Sequence, residues 1–300
     1  MKYMMKQFFE NTRPWGQLVA LVLLFVLFFI LFTGLTLTLR LAGVQADLLV
    51  LQAASQLVCF GLTAVVFAWM FYGQPMRYLR FGAEGRMGWR LLGAFLLLLC
   101  LLPFSDWTTQ LNDGWHLPQR YAALEEQLRS MGEQSEALVE VFLLRDGAGA
   151  LVANLLVLAL VPALCEEMLF RGVLQQVLCR AIRNPHVAIW LTAALFSLFH
   201  GEVFAFLPRF VLGLALGYVF YYGRSIWYGV LLHFANNATV VVLYRAAAHG
   251  WIAREAVESF NSPWPLALLS LLLSVALLYL FFVRHRVLEK EADAGDGKSV

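Results

Sequence analysis

Runs of apolar residues long enough to cross a bilayer, and free of charge from end to end, recur along this sequence. Leu48–Phe71, Ala148–Cys165 and Pro265–Val283 carry no Asp, Glu, Lys or Arg. The apolar residues do not keep to one helical face, so the runs are not amphipathic core helices. Of the 300 residues, 61% are hydrophobic and 14% charged, against about 45–50% and about 25% in a soluble domain. The solvent for most of the chain is therefore lipid. Alternation of period two is absent, which favours helices over a barrel.

The fold class that follows is all-α, a polytopic membrane helix bundle of about eight transmembrane helices around a membrane-embedded polar site. The eight apolar segments are Gln17–Leu41, Leu48–Phe71, Trp89–Phe104, Ala148–Leu169, Val187–Phe199, Pro208–Tyr222, Ile226–Tyr244 and Pro265–Val283. Spanning takes about 20 residues, so the fifth and sixth look short. Either they extend through Gly201–Phe206, or one of them stops inside the membrane, where non-helical backbone must be buried or line a wet cavity. Lys2, Lys6 and Arg13 before the first segment resemble a signal-peptide n-region. The segment is too long for an h-region and has no small-residue cleavage site, so it reads as a retained first helix.

With eight spans and the N-terminus inside, 15 of the 22 Lys and Arg residues fall on one side. The positive-inside rule then places both termini in the cytoplasm. Between spans three and four lies the one long polar insert, Ser105–Gly147. Its stretch Pro118–Leu144 sets Leu124, Leu128, Met131, Leu138 and Phe142 near helical spacing, as either an amphipathic helix on the outer surface or a solvated connector. The charged tail Glu289–Val300 reads as disordered. Three regions result: 1–147 with helices one to three and the outer segment 105–147, 148–245 as the core that carries the chemistry, and 246–300 with the last helix and the tail. Cys59, Cys100, Cys165 and Cys179 show no paired spacing and suggest neither disulfides nor a zinc ribbon. Nothing points to nucleic acid; the expected partners are the bilayer and a membrane-associated peptide or protein.

The strongest local signal is a pair of adjacent carboxylates, Glu166 and Glu167, after the apolar run Ala148–Cys165. An acid at the centre of a membrane helix costs about 2.5–3.5 kcal/mol on insertion scales. Glu167 and Arg171 are i,i+4 and can pair, while Glu166 points about 100° away around the helix. One carboxylate can thus be neutralised while its neighbour faces a cavity; alternatively both sit at the interface, where charge is cheap. His200 closes the apolar run that contains Phe196, with Glu202 close behind. His233 and Asn237 are i,i+4 on one face of the seventh span, beside Asn236, where interhelical hydrogen bonding is the plain alternative.

Counting from helix ends near Arg180, Pro185 and Ser225, Glu166, His200, His233 and Asn237 lie roughly 21, 22, 12 and 18 Å along their helices. All four can share one layer near the membrane middle. There a glutamate suits general-base work, a histidine can share or orient water, and a second histidine with an amide can donate to a developing oxyanion. G-x-S-x-G and H-E-x-x-H are both absent, so serine-nucleophile and zincin readings lose ground.

E-E-x-x-x-R at Glu166–Arg171, F-x-x-x-H at Phe196–His200 and H-x-x-x-N at His233–Asn237 resemble the three ordered motifs of the CAAX protease and bacteriocin-processing (Abi) family. Phe210–Tyr218 and Gly223–Trp227 also look like that family, and the resemblance covers roughly Ala148–Tyr244. It implies an eight-helix intramembrane protease related to the type II CAAX prenyl endopeptidase. In it Glu166 would activate water with His200, and His233 with Asn237 would form the oxyanion site, supported by Glu167 and Arg171. Only the spacing selects Asn237 over Asn236. A metal-free mechanism with no cofactor is expected; the alternative is zinc held by His200, His233 and Glu166. Gly213 and Gly217 form G-x-x-x-G and are assigned to close helix packing.

The function expected is hydrolysis of a peptide bond in a membrane-associated protein or peptide, in a multi-pass protein of a bacterial inner membrane. A proton-coupled transporter would show inverted repeats with matched broken helices, and none is visible. A catalytically silent family member acting as an immunity or scaffold protein is disfavoured by the intact Glu166, His200, His233 and Asn237. The substrate is not legible.

Overall fold

A computed structural model of the chain describes residues 12–82, 87–145, 147–253, 257 and 261–284. The N-terminal lysines and the tail Glu289–Val300 lie outside these residues. Among the described residues there are helices and no strands: α1 (Pro14–Leu41), α2 (Leu48–Tyr72), α3 (Met87–Asp113), α4 (Ala122–Leu143), α5 (Ala148–Ile182), α6 (Pro185–Phe199), α7 (Phe206–Gly223), α8 (Ile226–Ala248) and α9 (Trp264–Val283). Seven of the helical segments are long and apolar enough to cross a membrane, and α6 is the shorter eighth.

Hydrogen bonds between the connections sort the helix ends into two faces. On the first face, Ile226 N–H donates to the Arg80 carbonyl (3.0 Å), Trp227 Nε1 to that of Phe81 (3.0 Å), and Arg180 to the Tyr78 hydroxyl (2.9 Å). On the second, Arg145 pairs with Asp47 (3.2 Å), and Arg245 donates to the carbonyls of Arg145 and Gly147 (2.8 and 3.0 Å). Near the start of α1, Gln17 accepts from Tyr72 and Arg180. At the end of α9, Phe281 stacks on Trp89, the third residue of α3. The first helix therefore starts, and the last helix ends, on the same face. Arg80, Arg183 and Arg224 all occupy left-handed backbone positions at that face.

Two expected boundaries need correction. The third span, drawn as Trp89–Phe104, continues to Asp113, so residues 105–113 of the outer segment belong to α3. Pro103 lies within it. The Ser270 hydroxyl of α9 donates to the Cys100 carbonyl and accepts from Phe104 N–H (3.1 Å), occupying the gap that proline opens in the ladder. The fourth span, drawn to Leu169, continues to Ile182. Glu166, Glu167 and Arg171 are therefore inside a helix and buried, which overturns the interfacial alternative for the acids and removes Arg171 from the loop charges.

The fifth segment stays short. Asn184 caps α6 by accepting from His186 and Val187 N–H, with Pro185 at its first turn, and Gly201 at φ +73° ends it. Fifteen residues reach about 22 Å, less than a hydrocarbon core of about 30 Å. His200 is thereby left at depth. The irregular backbone that follows is satisfied from the side: Asn112 donates to the Val203 carbonyl and accepts from Leu207 N–H, and Ser197 donates to the Phe206 carbonyl. The sixth segment extends back to Val203. Close packing of α7 on α6 uses Gly213 and Gly217, where a methyl group would stand 3.1 Å from Ala193 Cα and 2.8 Å from Ile189 Cγ2.

Within the polar insert, helix α4 ends at the second face, where Arg145 follows it. Glu125 near its start accepts from Leu117 N–H (2.7 Å), His116 (2.9 Å) and Arg129 (3.0 Å). The Leu117 amide first, and then His116, hold its carboxyl down to about 2. A depressed value adds stability above the ordinary 4.5 that is lost as pH falls through the folded value. Hydrogen exchange at the Leu117 amide, corrected for intrinsic rate, should therefore lose protection between about pH 4.5 and 2, and Glu125→Gln should abolish that step. Separately, single cysteines at Gln134 and Arg224, in a chain lacking the native four, should label from opposite sides of the membrane. Labelling from one side would contradict the two-face assignment.

Candidate functional site

The core of the site is an ion pair that membrane burial makes obligatory. Glu167 and Arg171, one turn apart on α5, are both fully buried, and Arg171 Nη1 donates to Glu167 Oε1 (2.5 Å). Neither charge could stay there alone. Arg171 Nη2 also donates to the Gly213 carbonyl of α7 (3.2 Å), and its guanidinium lies 4.5 Å from the centre of the Phe196 ring of α6. One pair thus ties α5 to α6 and α7. A π-helical stretch, Phe170–Gln175, begins just before Arg171, as is frequent at functional sites.

Helix α8 reaches the same pair. His233 Nδ1 lies 3.2 Å from Glu167 Oε1, and a methyl group at Gly229, one turn earlier, would lie 2.6 Å from Glu167 Oε2. Glycine at 229 is what lets α8 close on the carboxylate. A carboxylate held by arginine only accepts, so His233 carries its proton on Nδ1 and turns Nε2 outward. His200 is fixed in the same sense. Its Nδ1 sits 2.8 Å from the Phe196 carbonyl, another pure acceptor, which leaves Nε2 with the lone pair.

Both Nε2 atoms face one oxygen. Glu166 Oε2 lies 3.8 Å from His233 Nε2 and 3.9 Å from His200 Nε2, and it has no hydrogen-bond partner among the described residues. Phe196 fills the space beside them, edge-on to His200 (4.9 Å) and to His233 (5.7 Å). The other Glu166 oxygen, Oε1, accepts from Gln56 Nε2 of α2 (3.2 Å). Glu166 is 6% exposed, whereas the His200 side chain is 30% exposed, so the group opens on the histidine side.

Of the six residues singled out in the sequence, Glu166, Glu167, Arg171, His200 and His233 come together. Asn237 sits one turn beyond His233, accepts from Asn236 Nδ2 (3.3 Å), and makes no hydrogen bond to the other five among the described residues. Gln56 and Gly229 were missed. A glutamine in the middle of an apolar run is itself a signal, since an amide in lipid needs a partner; a helical glycine gave none. No group of three His, Cys, Asp or Glu side chains that could hold a metal ion occurs among the described residues.

Residues 148–239 match the family model described as type II CAAX prenyl endopeptidase Rce1-like. That span contains Glu166, Glu167, Arg171, His200, His233 and Asn237, and excludes Gln56. No curated protein and no solved structure matches the chain.

The close approach of α8 to Glu167 is testable by one methyl group. Gly229→Ala should lower stability by about 1–3 kcal/mol, the usual cost of overpacking, and should disturb His233 through Glu167. A thermal unfolding midpoint equal to that of the wild type would mean that α5 and α8 are further apart than described.

Proposed function

We propose that this chain, whose residues 148–239 belong to the Rce1-like family of type II CAAX prenyl endopeptidases, is an intramembrane endopeptidase in which Glu166 activates the attacking water. The family is a protease family, and the apolar helices make the chain a multi-pass membrane protein. The observation that carries the reading is the convergence of two histidine Nε2 atoms, at 3.8 and 3.9 Å, on one unpartnered Glu166 oxygen. Those separations are too long for direct hydrogen bonds. Oε2 is closed to solvent here, so the reading requires the site to open on the exposed His200 side to admit a water that bridges the carboxylate and a histidine nitrogen.

In this reading Glu166 Oε2 takes one proton from the water as its oxygen attacks the substrate carbonyl carbon, forming the new C–O bond. Neutral His200 accepts from, and so orients, the same water. Neutral His233 has only an acceptor at Nε2. It can donate to the oxyanion only as the imidazolium, with a proton on both ring nitrogens, and this reading requires that form of it. Asn237, one turn on, is proposed as the second donor. The C–N bond then breaks, and the amine leaves with the proton that Glu166 accepted. The balance is one water consumed, one carboxyl and one amine released.

The substrate class is a peptide or protein held at the membrane, for which a prenylated C-terminal peptide is the first probe. The face bearing Arg80, Arg183 and Arg224 is proposed as cytoplasmic, in a bacterial inner membrane, with both termini on that side. No metal is assigned. The zinc alternative would need Glu166 as a ligand beside His200 and His233, and a lone pair given to zinc cannot also take the proton. Purified chain should keep its cleavage of a prenylated reporter peptide after prolonged chelation. Loss with chelator and recovery with zinc would reverse the assignment.

The division of labour between the two glutamates gives the sharper test. Glu166→Gln keeps volume and removes the base, so cleavage should fall about a hundredfold or more with little change in thermal stability. Glu167→Gln should leave Arg171 unpaired and cost about 3–5 kcal/mol, part of which Glu167→Gln combined with Arg171→Met should restore. Full activity in Glu166→Gln, or the same phenotype in both single variants, would defeat the reading.

A further inference from the structure

Resting on that reading of Glu166, we infer that Gln56 is a positioning residue of the site, contributed by a helix outside the Rce1-like span, and that it dedicates one Glu166 oxygen to structure and the other to water. Gln56 lies on α2 and is 9% exposed. Its side-chain amide reaches across to α5, where Nε2 stands 3.2 Å from Glu166 Oε1. A carboxylate offers only acceptors, so the amide must present its NH2 group, and the orientation is set by chemistry.

Two features of α2 serve this reach. The helix turns π-helical from Gln56 to Leu62, which shifts the register of the following turn at the level of the site. Gly61 lies within that stretch, and a methyl group there would be 3.2 Å from Cys165 Sγ, the neighbour of Glu166, so α2 and α5 run close at this level. The cost of a buried glutamine is evident in its Oε1, which has no partner among the described residues. A buried unpaired acceptor costs about 1–3 kcal/mol. Leucine would avoid that cost and would pack as well in an apolar helix, yet it could not hold the carboxylate.

Free to rotate about its last side-chain bond, Glu166 could present either oxygen to the histidines or swing toward its own helix. The Gln56 contact removes that freedom. Oε1 is committed to α2, and Oε2 is left facing His200 and His233. A hydrogen bond to a carboxylate also favours its ionised form, which a base requires. The other charged and titratable groups around Glu166 are His200 on α6, His233 on α8, Glu167, Arg171 and Cys165 on its own helix, and Arg209 of α7 beyond His200. Gln56 is the neutral donor among them.

The test compares wild type, Gln56→Met, Gln56→Glu and Glu166→Gln as purified full-length chains. Protonation is followed by pH-difference infrared spectroscopy, in which the carboxyl band missing from Glu166→Gln identifies Glu166 without any substrate. Loss of the donor in Gln56→Met should move the pH midpoint of that band up by about one unit, the size expected for one hydrogen bond to a charged group. In Gln56→Glu the two carboxyls would share a proton, and the shift should be larger. The acid limb of the pH–rate profile for a prenylated reporter peptide should move with the band. An unmoved midpoint in both folded variants overturns the inference. If Gln56→Met fails to fold, Gln56→Glu, which keeps length and polarity, decides alone. Should Glu166→Gln retain activity while the Gln56 variants shift the band, the contact stands and the assignment of the base falls.

Discussion

A guanidinium and a carboxylate stripped of solvent inside a membrane protein persist only together, and the Glu167–Arg171 pair is the constraint from which this site is built. Its two members take their remaining contacts from three other helices: the Gly213 carbonyl of α7, the Phe196 ring of α6, and the His233 imidazole of α8. Each contact needs the neighbouring helix to come close, and each helix meets that need in its own way. Gly229 leaves room for the Glu167 carboxylate, and Gly213 and Gly217 leave room for α6. Membrane helices gain little from the hydrophobic effect against one another, so close packing and internal polar contacts carry the association. Here the polar contacts also fix the tautomer of His233, so assembling the bundle and preparing the site are one event.

The second glutamate is valuable because the first is already spent. Glu166 is turned by its helix away from Arg171 and is held at Oε1 by an amide from α2, with Oε2 left opposite two imidazole nitrogens. Both imidazoles are anchored at Nδ1 by acceptors, one a backbone carbonyl and one a carboxylate. Three groups from three helices therefore aim acceptor atoms at one point. The arrangement puts the exposed edge at His200, whose helix stops short in the membrane layer, and that is the side from which a substrate carbonyl would approach.

Much of this was legible in the sequence because lipid punishes unpaired polarity. The helical bundle follows from the apolar runs. The pairing of Glu167 with Arg171, the freedom of Glu166 and the common depth of Glu166 and His200 follow from helical spacing. His233, only about 12 Å along its helix, reaches them through the packing of α8 on Glu167. The shortness of α6 was visible as a run of too few apolar residues. Other features depend on partners distant in the chain. The polar residues 105–113 read as the start of a loop, yet they continue α3 because Asn112 is needed to satisfy the backbone at Val203 and Leu207. Leu169 closes the apolar segment because Arg171 follows it, but the helix itself, counted in the sequence from near Arg180, runs to Ile182 because a paired and buried arginine does not end a helix. Gln56 stood in plain view within an apolar run, and its meaning appears only with Glu166 opposite.

The proposed mechanism turns on one point of chemistry: in it Glu166 takes a proton from water and does not itself attack the substrate. A carboxylate acting as nucleophile would instead form an acyl anhydride with the substrate carbonyl. The direct test is a single turnover of a prenylated reporter peptide in water enriched in oxygen-18, with chain in excess over peptide, followed by mass analysis of both the peptide product and the Glu166-containing fragment of the chain. Water attack places one labelled oxygen in the new carboxyl of the product and none in Glu166. Label recovered in Glu166, or capture of an acyl intermediate by added hydroxylamine, would contradict the general-base account.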